Sequence, residues 1–284
     1  RSTQVILDAA RGVISRNTLQ KEKMLWTQNG AGEPIGVIPS DNERAEAKEV
    51  VCRIASFLKD GYGPNDFAVL YRTNAQSRVL EEAFLERNLP YKIIGGIRFY
   101  QRKEIKDILA YVRYLFNPSD LVSLKRIINV PARGIGKSAF LNYLALCLSK
   151  NGAKFPPALL RFDNLKKELG SAIKKQEASK FLKHLLEKIR YREYLDDSSA
   201  NAEERWENVR ELMSLAKKYD EIAPPAGLEK LLEDVALMSE ADQAETGENR
   251  VNLMTLHAAK GLEFPIVFMV GLEEGVFPHS RSIF

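Results

Sequence analysis

Apolar positions in the first hundred residues alternate between a helical period and short continuous runs. Val5, Ile6, Ala9, Ala10 and Val13 share one face of a helix that Ser2 or Thr3 would cap. Gly36-Val37-Ile38 predicts a short strand. Ser40, with Glu43 three residues on, has the form of a capping box opening a helix through Val50, Val51, Ile54 and Leu58. Phe67-Ala68-Val69-Leu70-Tyr71 is uninterrupted, as a strand covered on both faces must be. Thr73 and Gln76 form a second box, leading a helix through Leu80, Phe84 and Leu85, and Tyr91-Lys92-Ile93-Ile94 is a further strand closed by Gly95-Gly96. Such alternation predicts a parallel sheet with helices packed on it.

From Gln101 to Glu248 the strand signal disappears. Helical patterns run over Lys103–Phe116, Ser138–Leu148, Lys166–Tyr194, Glu203–Tyr219 and Leu228–Met238, separated by loops at Asn117-Pro118, Pro156-Pro157 and Pro224-Pro225. Val251–Leu256 and Pro265–Val270 then restore buried-strand character. The expected architecture is one α/β domain, residues 1–100 with 249–284, interrupted by an all-helical insertion, residues 101–248.

Composition narrows the class. With 45% apolar and 28% charged residues the chain has the make-up of a globular protein, not a disordered one. No apolar run approaches the ~18 residues of a membrane span, and the start does not read as a signal peptide. Cys52 and Cys147 are isolated in helical patterns, which suits a reducing interior and offers neither a disulfide framework nor a zinc site. The chain opens on Arg1 without an initiator Met and stops at Phe284, as a piece of a longer polypeptide would.

The formal net charge of +4 conceals a segregation. Residues 98–192 carry 21 basic and seven acidic side chains, net +14, whereas residues 193–249 carry five basic and 16 acidic, net −11. The basic stretch, with Phe99, Tyr100, Tyr111, Tyr114 and Phe116 among its charges, has the composition of a polyanion footprint. Solvated lysine faces, partly neutralised by the acidic stretch folding back, would give the same composition.

In an open parallel sheet, ligands bind beyond the carboxyl ends of the strands. Arg72, Thr73 and Asn74 follow the first run; His257, Lys260, Gly261 and Glu263 follow Leu256; Gly271, Glu273, Glu274 and His279 follow Val270. Such a rim suits phosphates and bases, although Thr73 equally serves as a helix cap and Arg72 and Lys260 equally as solvated charges. Gly134-Ile135-Gly136-Lys137-Ser138 ends like a phosphate-binding loop, but Pro131 stands where that loop needs its first glycine. The turn can still present N–H groups and a helix start to a phosphate, and Arg126, Arg133 and Lys137 favour a nucleic-acid backbone; a plain helix-to-helix turn remains the alternative.

Four segments together resemble the UvrD/PcrA-type superfamily 1 helicases. Arg1-Ser2-Thr3-Gln4 resembles the end of that family's asparagine-tyrosine-arginine-serine motif, and residues 69–78, VLYRTNAQSR, the motif after it. Residues 96–107, GIRFYQRKEIKD, resemble the approach to the family's inserted domain; residues 254–264, MTLHAAKGLEF, with residues 273–279, resemble motif V and its extension. The helical middle, about residues 140–248, matches mainly by position.

The resemblance implies the second RecA-like domain (2A) with its helical insertion (2B), from an ATP-dependent 3′→5′ DNA helicase of replication or repair. It implies that Arg1 meets the ATP γ-phosphate as an arginine finger and that Glu263 accepts from the ribose hydroxyl, with Gly261 allowing close approach. Arg72, Asn74, His257 and His279, with Lys260 a weaker candidate, would contact single-stranded DNA. Arg133, Gly134, Gly136 and Lys137 would hold the duplex ahead of a single-strand/double-strand junction. ATP and Mg²⁺ are the implied cofactors, with the magnesium ligands and the Walker A loop outside this chain, so that alone it should not hydrolyse ATP. The remaining helicase domains and repair proteins are the implied partners, no membrane is involved, and the location is cytoplasmic and nucleoid-associated. A DNA-binding or partner-docking module with a degenerate motor, or a helicase-nuclease subunit, are the alternatives.

Overall fold

The computed structural model describes residues 2–17, 25–148, 156–197, 201–244 and 249–277. Helix α1 (Gln4–Ile14) comes first, then α2 (Glu43–Lys59), strand β1 (Phe67–Tyr71), α3 (Ser77–Glu86) and β2 (Tyr91–Ile94). Eight helices follow: α4 (Lys103–Phe116), α5 (Leu121–Ile127), α6 (Lys137–Leu148), α7 (Pro157–Ala172), α8 (Ala178–Lys188), α9 (Tyr191–Leu195), α10 (Ala202–Ala216) and α11 (Ala226–Ala244). Strands β3 (Val251–Thr255) and β4 (Ile266–Met269) close the order.

The four strands form one parallel sheet in the order β2-β3-β1-β4. Val69 of β1 is in register with Leu253 on one side and Phe268 on the other. Alternate strand residues Phe67, Val69, Tyr71, Tyr91, Val251 and Leu253 pack against Val50, Val51 and Ile54 of α2 and Val79, Leu80, Ala83 and Phe84 of α3. Fully burying a side chain such as Phe84 contributes roughly 1.5–3 kcal/mol, which is what fixes these helices on the sheet. A second core runs from Phe99 to Val235; it is built from the helical middle together with Phe99 and Tyr100 just before it. The α/β architecture with a parallel sheet and an all-helical stretch is therefore as the sequence predicts.

Several local expectations are corrected. Gly36-Val37-Ile38 forms no strand: no neighbouring strand pairs with it, and Val37 is almost fully exposed. The cap of α2 is Asn42, not Ser40; its Oδ1 accepts from the N–H groups of Arg44 and Ala45 at 3.1 and 3.0 Å. The expected single helix over Lys166–Tyr194 is three. Arg190 adopts a left-handed backbone, φ +53°, which ends α8, and Asp220 accepts from Ser179 N and Oγ at the start of α8. Helix α5 went unpredicted, although Asp120 caps it through Val122 N and Ser123 N. Helix α1 has the expected spacing but buries none of its residues.

Candidate nucleic-acid interface

Because β1 and β3 are adjacent and parallel, the loops beyond their carboxyl ends lie side by side. Leu256 N donates to Tyr71 O at 2.9 Å, extending the pairing one residue beyond the strands. The next residues on each side meet: Arg72 Nη1 and His257 Nδ1 are 3.4 Å apart, a hydrogen bond when Nδ1 is the unprotonated nitrogen. The Arg72 backbone is fixed from below, since Gln76 Oε1 accepts from Arg72 N and Thr73 N at 2.9 and 3.0 Å. Gln76 reaches that position because residue 271 is glycine. A Cβ there would lie 2.0 Å from Gln76 Nε2, and its φ is +67°. Gly271 N is held in turn by the Glu46 carboxylate at 3.0 and 3.2 Å.

The loop after β2 joins the same rim. A Cβ on Gly95 would lie 3.2 Å from Ala258 Cβ, and one on Gly96 3.5 Å from Asn74 Oδ1. Asn74 is half-buried, and its Nδ2 donates to Glu204 Oε1 of α10, so the acidic stretch reaches the rim from the helical side. His257 and Lys260 are exposed in the turn after β3. Gly261 follows with φ +89° and open space where a Cβ would stand; Glu263 is exposed two residues on. Arg72, Asn74 and His257 are thus brought together, with Lys260, Gly261 and Glu263 on the adjoining loop. Arg1 and His279 lie outside the described residues.

Gly134-Ile135-Gly136 stands apart from the rim, before α6. Ile135 is buried in the helical core and anchors the turn, while Gly134, Gly136 and Lys137 are exposed. Asn129 Oδ1 accepts from Arg133 N and Ile135 N at 2.7 and 3.2 Å. Gly134 needs its glycine for φ +71°; at Gly136 neither φ nor a neighbouring atom requires one. Arg133 departs from the expectation of a phosphate-facing side chain. Its Nη1 donates to the carbonyls of Ile127, Ile128 and Val130, its Nη2 donates to Tyr111 Oη, and the guanidinium stacks over Phe162. It builds the turn from behind. An open cavity of about 470 Å³ beside it is lined by Ala132, Arg133, Ala158, Arg161, Leu165 and Lys188.

The residues that sequence reasoning missed join the two cores. Arg78 is 2% exposed and donates to Glu82 of its own helix and Glu211 of α10, both at 2.6 Å. Glu82 also accepts from Tyr100 Oη at 3.1 Å and Lys218 Nζ at 3.4 Å. Beside it, Arg102 donates to Asn208 Oδ1 and Ser77 Oγ at 2.7 Å, and Asn208 donates to Glu104 at 2.6 Å. Burial lowers the Arg102 pKa against the pull of Glu81, whereas Glu82 and Glu211 raise that of Arg78 despite burial. Burial pushes the Tyr71 phenol well above its ordinary value, with Glu81 adding to the rise, and its hydroxyl is enclosed without a hydrogen-bond partner. The signal was present: Ser77/Glu81 and Arg78/Glu82 are paired four residues apart on an otherwise apolar helix.

Among the described residues, no group of three or more His, Cys, Asp or Glu side chains is placed to hold a metal ion. No described helix is long and apolar enough to cross a membrane.

Comparison with known proteins places the chain in a family. The profile of the UvrD-like helicase C-terminal domain matches residues 1–284. The chain is 44% identical over 301 residues to the ATP-dependent DNA helicase PcrA of Staphylococcus epidermidis, a match covering all of this chain and 41% of that protein. It is likewise 44% identical over 302 residues to the PcrA helicase of Staphylococcus aureus strain Mu50, again across all of this chain and 41% of the relative. The chain therefore spans less than half the length of these curated relatives. On the profile match and the identity together, the chain belongs to the family of UvrD-like helicase C-terminal domains.

Proposed function

We propose that this chain supplies the second RecA-like domain and the helical insertion of an ATP-dependent 3′→5′ DNA helicase acting in repair or replication. The observation that carries the reading is the meeting of Arg72 and His257, 185 positions apart in sequence, at adjacent strand ends with Asn74 beside them. That rim offers cationic and amide donors to a strand without reading sequence. The two separate cores support a division close to the expected one, residues 1–100 with 249–284 and residues 101–248, although Phe99 and Tyr100 pack with the helical core. PcrA relatives are named ATP-dependent DNA helicases, which supports ATP as the nucleotide and Mg²⁺ as its companion, held by ligands elsewhere in the helicase. When ATP is bound, its hydrolysis supplies the driving force.

The roles of this chain's residues follow. Arg72, Asn74 and His257 grip single-stranded DNA, with Lys260 and His279 alongside. Glu263 accepts from the ribose, Gly261 keeps the loop close, and Arg1 neutralises charge at the γ-phosphate. Gly134, Gly136 and Lys137 contact duplex at a junction; Arg133 maintains that turn. The open side of β4, where Val267 and Met269 are nearly half exposed, is where we place the remaining helicase domains. Repair proteins are further partners, and the setting is the cytoplasmic nucleoid.

The test separates the two surfaces in a longer chain containing residues 1–284. Arg72→Ala should weaken single-strand affinity about tenfold, the scale of one charge-assisted contact, and leave duplex-tail affinity nearly intact. Lys137→Ala should do the reverse. Equal losses for both ligands in both variants would contradict the assignment.

A further inference from the structure

Two successive N–H groups just beyond β1, those of Arg72 and Thr73, are satisfied by one side chain, Gln76, whose Oε1 accepts from them at 2.9 and 3.0 Å. A capping box explains only half of this. The box asks Gln76, the last residue of the turn Asn74–Gln76, to reach back to Thr73 N. The second bond, from Arg72 N, lies outside that motif and ends on the residue whose guanidinium stands beside His257. Gln76 is itself set from another strand. A Cβ on Gly271, in the loop after β4, would lie 2.0 Å from Gln76 Nε2 and 3.3 Å from its Cδ, and φ there is +67°, so both the contact and the backbone require glycine. That loop is fixed at the same place: Val270 N donates to Leu70 O at 3.0 Å, and Gly271 N donates to the Glu46 carboxylate of α2 at 3.0 and 3.2 Å.

Core packing does not account for these contacts, since none of Glu46, Gln76 and Gly271 belongs to either apolar core. Nor does sequence proximity: Glu46 and Gly271 are 225 positions apart, and their bond converges on the loop that carries Arg72. We infer that Gln76, Gly271 and Glu46 are positioning residues for Arg72, fixing from the loop after β4 and from α2 the backbone from which its guanidinium meets a DNA phosphate. This inference rests on the proposed reading of Arg72 as a single-strand contact. A guanidinium–phosphate bond forms at about 2.7–2.9 Å and weakens steeply when misaligned, so a shift of roughly 1 Å in the backbone behind it is enough to lose it.

The experiment measures binding of a labelled oligothymidylate to the longer helicase, without nucleotide and over a series of salt concentrations, for Arg72→Ala, Gln76→Met, Gly271→Ala and the Arg72→Ala/Gln76→Met pair. Each phosphate neutralised on a single strand contributes about 0.7 to the slope of log affinity against log salt, so loss of the Arg72 contact is read as a flatter slope and not merely as weaker binding. Gln76→Met keeps the length and removes the acceptor. It should weaken binding about threefold or more, flatten the slope by about 0.7 as Arg72→Ala does, and leave Tm near wild type. It should add no further loss in the Arg72→Ala background. Gly271→Ala, which displaces Gln76, should repeat the flattened slope, and Glu46→Gln, which keeps an acceptor for Gly271 N, should bind as wild type. Should Gly271→Ala fail to fold, Gln76→Met decides alone. If Arg72→Ala flattens the slope while Gln76→Met binds as wild type, or if their losses multiply, the inference is wrong and the reading of Arg72 stands. A Gln76→Met that weakens binding with the wild-type slope, or only together with a fall in Tm, shows a structural role and also overturns it. Wild-type affinity and slope in Arg72→Ala remove the single-strand reading of Arg72 itself, and the inference with it.

Discussion

Glu204 occupies the amide of Asn74, the very group that the rim would offer to a base or phosphate. A strand reaching Asn74 must displace that carboxylate and also meet its negative charge. Glu204→Gln keeps the shape and removes the charge, so single-strand affinity should rise about threefold or more, measured by anisotropy of a labelled oligonucleotide at fixed salt. Unchanged affinity would mean that Asn74 stays out of the interface. Asp120 gives a second single-residue test. Hydrogen bonds from Ser123, side chain first and then backbone, with Val122 N, hold its carboxyl below the ordinary 3.8. A lowered folded-state pKa adds stability above the unfolded value and loses it as pH falls through the folded one. Asp120→Ala should therefore cost ~1 kcal/mol at neutral pH, with the gap to wild type closing as the carboxyl protonates. A gap that persists at acid pH would point to packing instead of capping.

Elements rather than residues decide how the two cores sit together. Helix α3 faces the sheet with Val79, Leu80, Ala83 and Phe84 and presents Ser77, Arg78, Glu81 and Glu82 to α10 and the start of α4. Removing Arg78 leaves Glu211 without its cation and Glu82 with Lys218 alone, so Arg78→Met should lose about 3–5 kcal/mol, read as a fall of several degrees in Tm. Adding Glu82→Leu and Glu211→Leu should recover most of it; a single variant within 1 kcal/mol of wild type would show that water already reaches the pair. The strands were legible in sequence because each buried run is local: Phe67–Tyr71 and Val251–Thr255 announce themselves without their partners. The breaks around α8 were not, because the acceptor that opens it, Asp220, lies 41 residues away. The same limit hid the commitment of Arg133, whose guanidinium is engaged by carbonyls that exist only once α5 ends as it does. Rim residues were legible as a set from the family resemblance and the strand-end rule. Their pairing was not, since Arg72 meets His257 only through the β3-β1 adjacency.

At the scale of the molecule, charge and surface point outward to a larger machine. Within the basic stretch Lys166 and Lys167 pair with Asp163 and Lys188 with Glu168, while Arg192–Glu203 is one of the bonds that cross to the acidic stretch. The acidic α10 instead meets the sheet domain at Asn74 and Arg78. Val267, Met269 and Leu272 near the sheet edge are exposed, and α1 buries none of its residues. The central claim is that these surfaces belong to a DNA-driven motor. It is tested most directly by ATP turnover, with and without single-stranded DNA, on the longer natural chain containing residues 1–284. The account predicts low basal turnover that DNA stimulates by at least tenfold. Absence of turnover under both conditions, with DNA binding intact, would contradict it and identify the chain as part of a binding module with a silent motor.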